Sequence, residues 1–470
     1  MKKPLLILLC ALGYTYLFYD QLPGINYLLF DALVILILGC TDPDSLFKKS
    51  VLMTGLGMLG CSAFLFIHNN TAPLLLHWIS FGLFVRYFYE AELSPYLALS
   101  QQVITSFLSI FRIFRWGKLF PTEGRSSGLS WGAYVITFPV VLVFVLLYAS
   151  GNELYSRLWE RIWDIPWNFG LFFFFLSGLI LASSIVAPTY SGIWKAFDLG
   201  CSNDLEREEA DDKSPLFGTM ASELRASAFL FFMLNLVTLS LHMTDLYAFI
   251  HPKIGLNHSQ NVHQGVNSLI LSILLAILVV VYFFRGALNF FQENRFLKGL
   301  TYAWLTQNVF LVLSTCYKDF LYIHSHGLTH KRIGVLIWLT LVAIGLLWTY
   351  LKIHQKKSAW YLVRRNSWSV YIVLLAYSGI HWDRWIVRYN TTCAQCEIDY
   401  DYFSTLDVSA IADLHVLGLP QKSHIPVEDF YAQNDRRAHY VQAYQSVGWP
   451  SYNLESERIC IPFTQTHPIQ

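Results

Sequence analysis

Gly334–Leu351 reads GVLIWLTLVAIGLLWTYL, eighteen consecutive residues without a charged side chain. A hydrocarbon core about 30 Å thick needs roughly 20 apolar residues in helical form, so this stretch predicts a membrane-spanning helix over 330–352. Comparable runs recur from the N-terminus to residue 381 and predict helices at 4–19, 25–40, 51–67, 73–89, 129–150, 168–188, 225–246, 266–285, 299–325 and 367–381 as well. The breaks carry turn chemistry: Asp20-Gln21-Leu22-Pro23-Gly24, Thr41-Asp42-Pro43-Asp44, His68-Asn69-Asn70-Thr71, and Gly327 as a helix stop before Thr329 as the next N-cap. The expected fold class is all-α. It is a polytopic transmembrane bundle of about eleven spanning helices, with one interfacial amphipathic helix and a small extramembrane C-terminal tail.

Composition agrees. Apolar residues make up 54% of the 470 and charged residues only 14%, whereas soluble domains carry about a quarter charged residues. A formal net charge of +1 provides no basic surplus for nucleic acid, so the implied partner is the lipid bilayer. Met1-Lys2-Lys3-Pro4 ahead of Leu5-Leu6-Ile7-Leu8-Leu9 has the pattern of a secretory signal peptide. No small-x-small cleavage site follows, Cys10 is preceded by Leu9 rather than a small residue, and further apolar segments come at once, so a retained first helix is expected.

Lysine and arginine concentrate in cytoplasmic loops. With the N-terminus inside, most of the chain's 33 basic residues fall on the inner side, among them Lys48, Lys49, Arg86, Arg285, Arg295, Lys298, Lys352, Lys356 and Lys357. The C-terminal tail is then extracytoplasmic. Residues 94–120 place Gln101, Gln102, Thr105, Ser109 and Arg112 opposite Val103, Phe107, Ile110 and Phe114, an amphipathic helix expected to lie on the cytoplasmic interface. The expected divisions are 1–128 (N-terminal helices and interfacial helix), 129–381 (main bundle) and 382–470 (tail). The loop 204–213 is acidic and reads as a solvated face. In the tail, Ser404 followed by Asp407 reads as an N-cap opening a short helix that Gly418 closes.

No phosphate-binding Gly-rich loop, His-Glu-x-x-His helix or Gly-x-Ser-x-Gly elbow occurs, no cofactor is evident, and an enzyme ranks below other readings. Polar residues inside apolar helices are the functional candidates: Asp31, His242, Asp245, Gln307 and Asn308. Asp245 follows His242 by three residues, a spacing that would let it orient the imidazole. The plainer reading of all five is interhelical hydrogen bonding. Gly57, Gly60 and Cys61 read as a close-packing face. Histidines gather in or beside the outer loops, and His324, His326, His330, Cys393 and Cys396 are candidates for a metal site, although no spacing signature specifies one. Cys393-Ala394-Gln395-Cys396 reads first as a structural disulfide, then as metal ligands, then as a redox pair, and Cys460 is an alternative partner. Lys318, Asp319, Lys331 and Arg332 form an outer corner around Gly327, with Asp319 within reach of Arg332 or Lys331.

Glu293-Asn294-Arg295-Phe296-Leu297, Trp304-Leu305-Thr306-Gln307-Asn308, Gly327-Leu328-Thr329-His330-Lys331-Arg332-Ile333-Gly334, Trp382-Asp383-Arg384 and Trp449-Pro450-Ser451-Tyr452-Asn453-Leu454 resemble a bacterial polytopic membrane family, the domain of unknown function numbered four-one-seven-three. The resemblance implies a bacterial inner-membrane location and transfers no site residues. Two functional classes follow: transport or small-ligand binding within the bundle, and a non-catalytic signalling or assembly subunit that meets a protein partner through its tail. The ligand is not specified by any motif.

Overall fold

The computed structural model describes residues 3–113, 168–188, 192–205, 213–214, 218–251, 293–393, 399–410 and 427–466, with some positions in 141–157 and 272–290. Most of the expected helix at 129–150, much of that at 266–285 and most of the acidic loop lie outside the described residues. The helices are α1 (Lys3–Phe18), α2 (Ile25–Gly39), α3 (Lys49–Ile67), α4 (Thr71–Tyr89), α5 (Pro95–Ile113), α6 (Phe169–Val186), α7 (Gly192–Gly200), α8 (Met220–Ile250), α9 (Arg295–His326), α10 (His330–His354), α11 (Ala359–Ser378), α12 (Trp382–Thr392), α13 (Tyr400–Ser404), α14 (Val427–Gln445) and α15 (Leu454–Thr466). One two-residue antiparallel ribbon, β1 (Lys213–Ser214) with β2 (Gly218–Thr219), precedes α8.

Helix starts follow local chemistry. Thr219 and Ser222 form a reciprocal capping box at α8. The side chains of Asn168, Thr329, Ser358 and Asp399 accept from the third residue beyond them at α6, α10, α11 and α13.

Among the described residues, four helices are long and apolar enough to cross a membrane: Lys49–Ile67, Phe169–Val186, Met220–Tyr247 and His330–His354. The expectation of eleven is corrected accordingly. Helices α1 and α2 are apolar but have only 16 and 15 residues. Helix α9 is interrupted by Gln307, Asn308, Lys318 and Asp319, and α11 by Arg364, Arg365 and Asn366. The spans expose Leu52 and Leu56 on α3, Phe172 and Phe173 on α6, and Phe229, Phe232 and Val237 on α8. Apolar surface on that scale is stable only against hydrocarbon. The protein is a multi-pass membrane protein.

The interfacial helix is corrected too. On α5 the polar stripe of Gln101, Gln102, Thr105 and Ser109 is buried, and Val103, Ile104, Phe107 and Leu108 are exposed. A helix lying on the membrane surface would keep its polar stripe in water. Here the stripe turns into the protein, where Arg86 of α4 donates to both Gln101 and Glu90.

The chain forms two compact units, residues 1–93, 97–192 and 443–457 in the first and 94–96, 193–442 and 458–470 in the second. In the first, Tyr14 of α1 stacks on Phe174 of α6 at 5.0 Å and meets Phe30 of α2 edge-on. Close packing falls at Gly55, where a Cβ would lie 3.2 Å from the Phe84 ring, whereas Gly60 faces open space. The tail segment Trp449-Pro450-Ser451-Tyr452-Asn453, which opens with a 3-10 turn over Trp449–Ser451, seats on the α1–α2 loop, with Ile25 N donating to Tyr452 O at 2.9 Å.

In the second unit, Phe231, Val280, Phe284, Leu297, Trp304, Leu339 and Leu346 form the core of α8, α9 and α10. A smaller cluster of Ile333, Ile386, Val387, Phe403, Leu406 and Ala410 folds residues 382–410 against the start of α10. Ser404 ends α13 and donates to Asp401 O, so it does not open a helix. Asp407 instead precedes the helical residues 408–410.

Candidate functional site

Asp31 of α2, Ser62 of α3 and His77 of α4 meet in the first unit, and all three are fully buried. Ser62 Oγ donates to Asp31 Oδ2 at 2.5 Å, and His77 Nε2 lies 2.9 Å from Asp31 Oδ1. The imidazole is walled by Tyr27, whose ring is 4.9 Å away and edge-on, and by Trp78 and Phe81. His77 Nδ1 is buried and has no hydrogen-bond partner among the described residues.

The local sequence explains the meeting. Helices α2 and α4 both start on one side of the molecule, and Asp31 and His77 each lie six residues beyond those starts, at Ile25 and Thr71. At 1.5 Å per residue both sit about 9 Å along their helices, at one depth. Ser62 lies five residues before the end of α3 on the same side.

The order of contacts limits the chemistry. Asp31 stands between Ser62 and His77, so the serine hydroxyl is bonded to the carboxylate, and the serine–histidine contact of a nucleophilic triad is not made. What the group offers is one carboxylate beside one imidazole in an apolar wall. With Nε2–H donating to Asp31, Nδ1 is the open acceptor. A proton taken there makes an imidazolium whose charge Asp31 balances.

The other intramembrane candidates lie in the second unit and line the α8–α9 contact. Gln307 Nε2 donates to Asn235 Oδ1 at 2.9 Å, and Asn235 Nδ2 donates to Leu300 O at 3.0 Å. Trp304 Nε1 reaches Thr238 Oγ1 at 3.1 Å, and His242 Nε2 lies 3.1 Å from Gln307 O. Asp245 pairs with Lys318 at 2.8 Å and accepts from Ser314, and makes no bond to His242. Asn308 bonds within its own helix, to Trp304 O at 2.8 Å. These residues form a polar ladder between two helices.

At the corner after α9, Gly327 has φ +83° and ψ 176°, a region open essentially to glycine, rather than the left-handed helical conformation. Asn390 Oδ1 accepts from Leu328 N, and Asn390 Nδ2 donates to Leu328 O at 3.0 Å. The Arg332 guanidinium donates to the carbonyls of His326 and Gly327 and lies 4.2 Å from the Tyr322 ring centre. Asp319 is buried, and neither carboxylate oxygen has a hydrogen-bond partner. Lys331 is exposed. His330 bonds to Asp383, which also accepts from the Asp407 amide at 3.0 Å. Burial alone would raise the Asp383 carboxyl, but the bonds from His330 and Asp407 outweigh it and hold the group below the usual carboxylate range.

The histidine and cysteine candidates take separate partners. His326 packs on the Tyr322 ring and contacts Ser325 Oγ at 2.7 Å. His324 is exposed, and its carbonyl is 3.6 Å from Cys393 Sγ. Cys393 is disulfide-bonded and Cys460 is a buried thiol, while Cys396 lies outside the described residues. No group of three or more His, Cys, Asp or Glu able to hold a metal ion occurs among the described residues. Sequence reasoning named Asp31 and missed its partners Ser62 and His77. Equal distance from helix ends on one side was the signal that would have joined them.

No curated protein matches the chain, and no solved structure matches it. The short motifs at 293–334 and 382–390 are what resemble the family numbered four-one-seven-three, and they leave the N-terminal helices out of account. A family match that runs through residues 6–417 takes in those helices as well and overturns that assignment: the chain belongs to the family described as Domain of unknown function (DUF4153).

Proposed function

We propose that this membrane protein binds or moves a small solute in a proton-linked way, with Asp31 and His77 as the proton-binding pair and Ser62 as the group that positions the carboxylate. The observation that carries the proposal is a fully buried carboxylate–imidazole contact with a second ring nitrogen left open as an acceptor. An ionisable pair inside an apolar helix packing is expensive to keep and marks a proton or ion path by default. In the neutral state the imidazole is a hydrogen-bonded base. In the protonated state the pair carries compensating charges, so the site can hold a proton without leaving a net charge in the interior.

We also place the N-terminus in the cytoplasm of a bacterial inner membrane and the tail outside. Support comes from the basic residues near the starts of α1 and α3 and the end of α4. Tail residues 448–455 meet the loops at 19–24 and 68–70, at the opposite ends of those helices. Because residues 448–455 are engaged by the chain's own loops, that stretch is a poor surface for a separate protein partner, which counts against the signalling or assembly reading.

The test is proton movement in proteoliposomes carrying a trapped pH-sensitive dye, after an imposed pH step. Wild type should dissipate the gradient faster than empty vesicles, and Asp31→Asn and His77→Gln should abolish the difference, with folding checked by thermal melting. Infrared titration of the same samples reads the pair directly. A wild-type spectrum without a titrating imidazole or carboxyl signal that His77→Gln removes, together with a gradient that decays as in empty vesicles, would sink the proposal.

A further inference from the structure

A second polar centre lies at the other end of the molecule's long hairpin, around the turn that precedes α9. Lys352, near the end of α10, is fully buried, and its Nζ donates to Phe284 O at 2.9 Å. No ion pair to Lys298, Lys352 or Lys356 occurs among the described residues, and the ammonium of Lys352 has two further N–H groups. Lys298, in the first turn of α9, is half-buried and reaches Asn289 O at 3.3 Å. Lys356, just past the end of α10, is exposed and lies 4.7 Å over the Phe290 ring. The contacts of Lys298 and Lys356 fall on the neighbouring residues Asn289 and Phe290 of one turn, and burial, then the Lys356 charge, push the Lys298 ammonium down from its usual value. The Asn289 side chain is 1% exposed, and both its amide nitrogen and its amide oxygen lack a partner.

Three cations around one turn, none of them paired with a carboxylate among the described residues, repel each other and favour an anion. The neighbouring Lys357 already has one, Asp204 at 2.5 Å, whereas among the described residues no carboxylate pairs with the other three. The first turn of α9 also presents the positive end of a 32-residue helix. One turn further in, Tyr302 and Tyr350 pack together at 5.1 Å, and Tyr350 stacks on His354. Such aromatics mark the headgroup level of a bilayer. The exposed Lys356, the half-buried Lys298 and the buried Asn289 and Lys352 thus grade from surface to interior.

We propose that Lys298, Lys356 and Asn289, backed by the buried charge of Lys352, form a binding site for a phosphoryl anion, supplied by the headgroup of an anionic lipid. The site is independent of the Asp31–His77 pair. Basic pockets beside helices at the headgroup level hold lipid phosphates in this way.

The test uses the full-length protein in nanodiscs of phosphatidylcholine alone, of phosphatidylcholine with 30% phosphatidylglycerol (about a third anionic lipid), and of phosphatidylcholine with added inorganic phosphate. The readouts are melting temperature and lipid retained in native mass spectrometry. Phosphatidylglycerol should raise the melting temperature and be retained. Lys356→Gln, an exposed change that leaves folding intact, should weaken retention about fivefold, and the Lys298→Gln, Lys356→Gln double variant by about that factor again. If inorganic phosphate stabilises equally well, the site stands with free phosphate as its source. Equal retention by wild type and the double variant, or no response of wild type to either phosphate source, overturns it.

Discussion

Gly24 carries the docking of the tail, and an added methyl there should release it. A Cβ at this position would lie 2.5 Å from Ser451 O and 2.6 Å from both Ser451 C and Tyr452 O. All three are backbone atoms, so no side chain can swing aside. Gly24 has φ −175°, which any residue adopts, so the effect is one of space and not of conformation. Retreat of the tail segment loses the bonds Ile25 N to Tyr452 O (2.9 Å), Leu22 N to Ser451 Oγ (2.8 Å) and Asn453 Nδ2 to Pro23 O (3.3 Å). It also draws Gly448 and Ser451 away from Gln21 Oε1. At about 1 kcal/mol net for each of three to five hydrogen bonds, Gly24→Ala should weaken docking by about 3–5 kcal/mol. If the segment stays seated, overpacking of about 1–3 kcal/mol is the alternative cost. Hydrogen exchange and limited proteolysis of residues 443–457 report the outcome, with faster exchange and new cleavage expected in Gly24→Ala. Gly60→Ala, where nothing lies within 4 Å of the new Cβ, is the control and should leave the tail protected. Unchanged protection in Gly24→Ala would refute the steric reasoning.

In the α8–α9 ladder, Asn235→Leu removes the acceptor of Gln307 and a donor to Leu300 O. It should cost about 1–2 kcal/mol in denaturant-induced unfolding, the upper range for interhelical bonds in membranes, and a midpoint equal to wild type would show that the ladder adds no stability. The corner pair adds a pH dependence. The folded-state pKa of Asp383 is lowered, so its contribution to stability is present above the unfolded value and is lost as pH falls through the lower folded one. Protection of residues 382–410 should therefore decline on acidification below about pH 4, the usual carboxylate value. In Asp383→Asn that decline should be absent from a lower starting level; the same acid profile in the variant and in wild type would exclude Asp383 as its source.

Much of the fold was legible because helix ends are written in local chemistry. The expected 25–40 and 330–352 agree closely with α2 and α10, since Pro23, Gly327 and Thr329 mark breaks in local chemistry. Spanning character was harder to read. An apolar run counts the residues along a helix, yet whether the helix crosses depends on length and on which face its polar residues take. Helix α5 is the clear case. Its 3.6-residue periodicity was correct, and only the packing partner decides whether the polar stripe meets water or, as here, Arg86 and the protein interior.

The site shows the same division between what is local and what is not. Asp31 stood out because a carboxylate in an apolar helix has no local reason to be there. Its partners did not, because serine is cheap to place in any helix and the histidines as a class read as gathered in or beside the outer loops. Pairing them requires knowing that α2, α3 and α4 run alternately through one packing, so that residue 31 and residue 77, counted from starts on one side, reach one depth while residue 62 is counted back from an end on that side. Sequence separation hides this relation and topology restores it. The same count places Lys352 and Lys298 together at the open end of a hairpin that carries Gly327 at its turn. One geometric rule thus locates the buried Asp31–His77 contact in the first unit and the cluster of Lys298, Lys352 and Lys356 in the second.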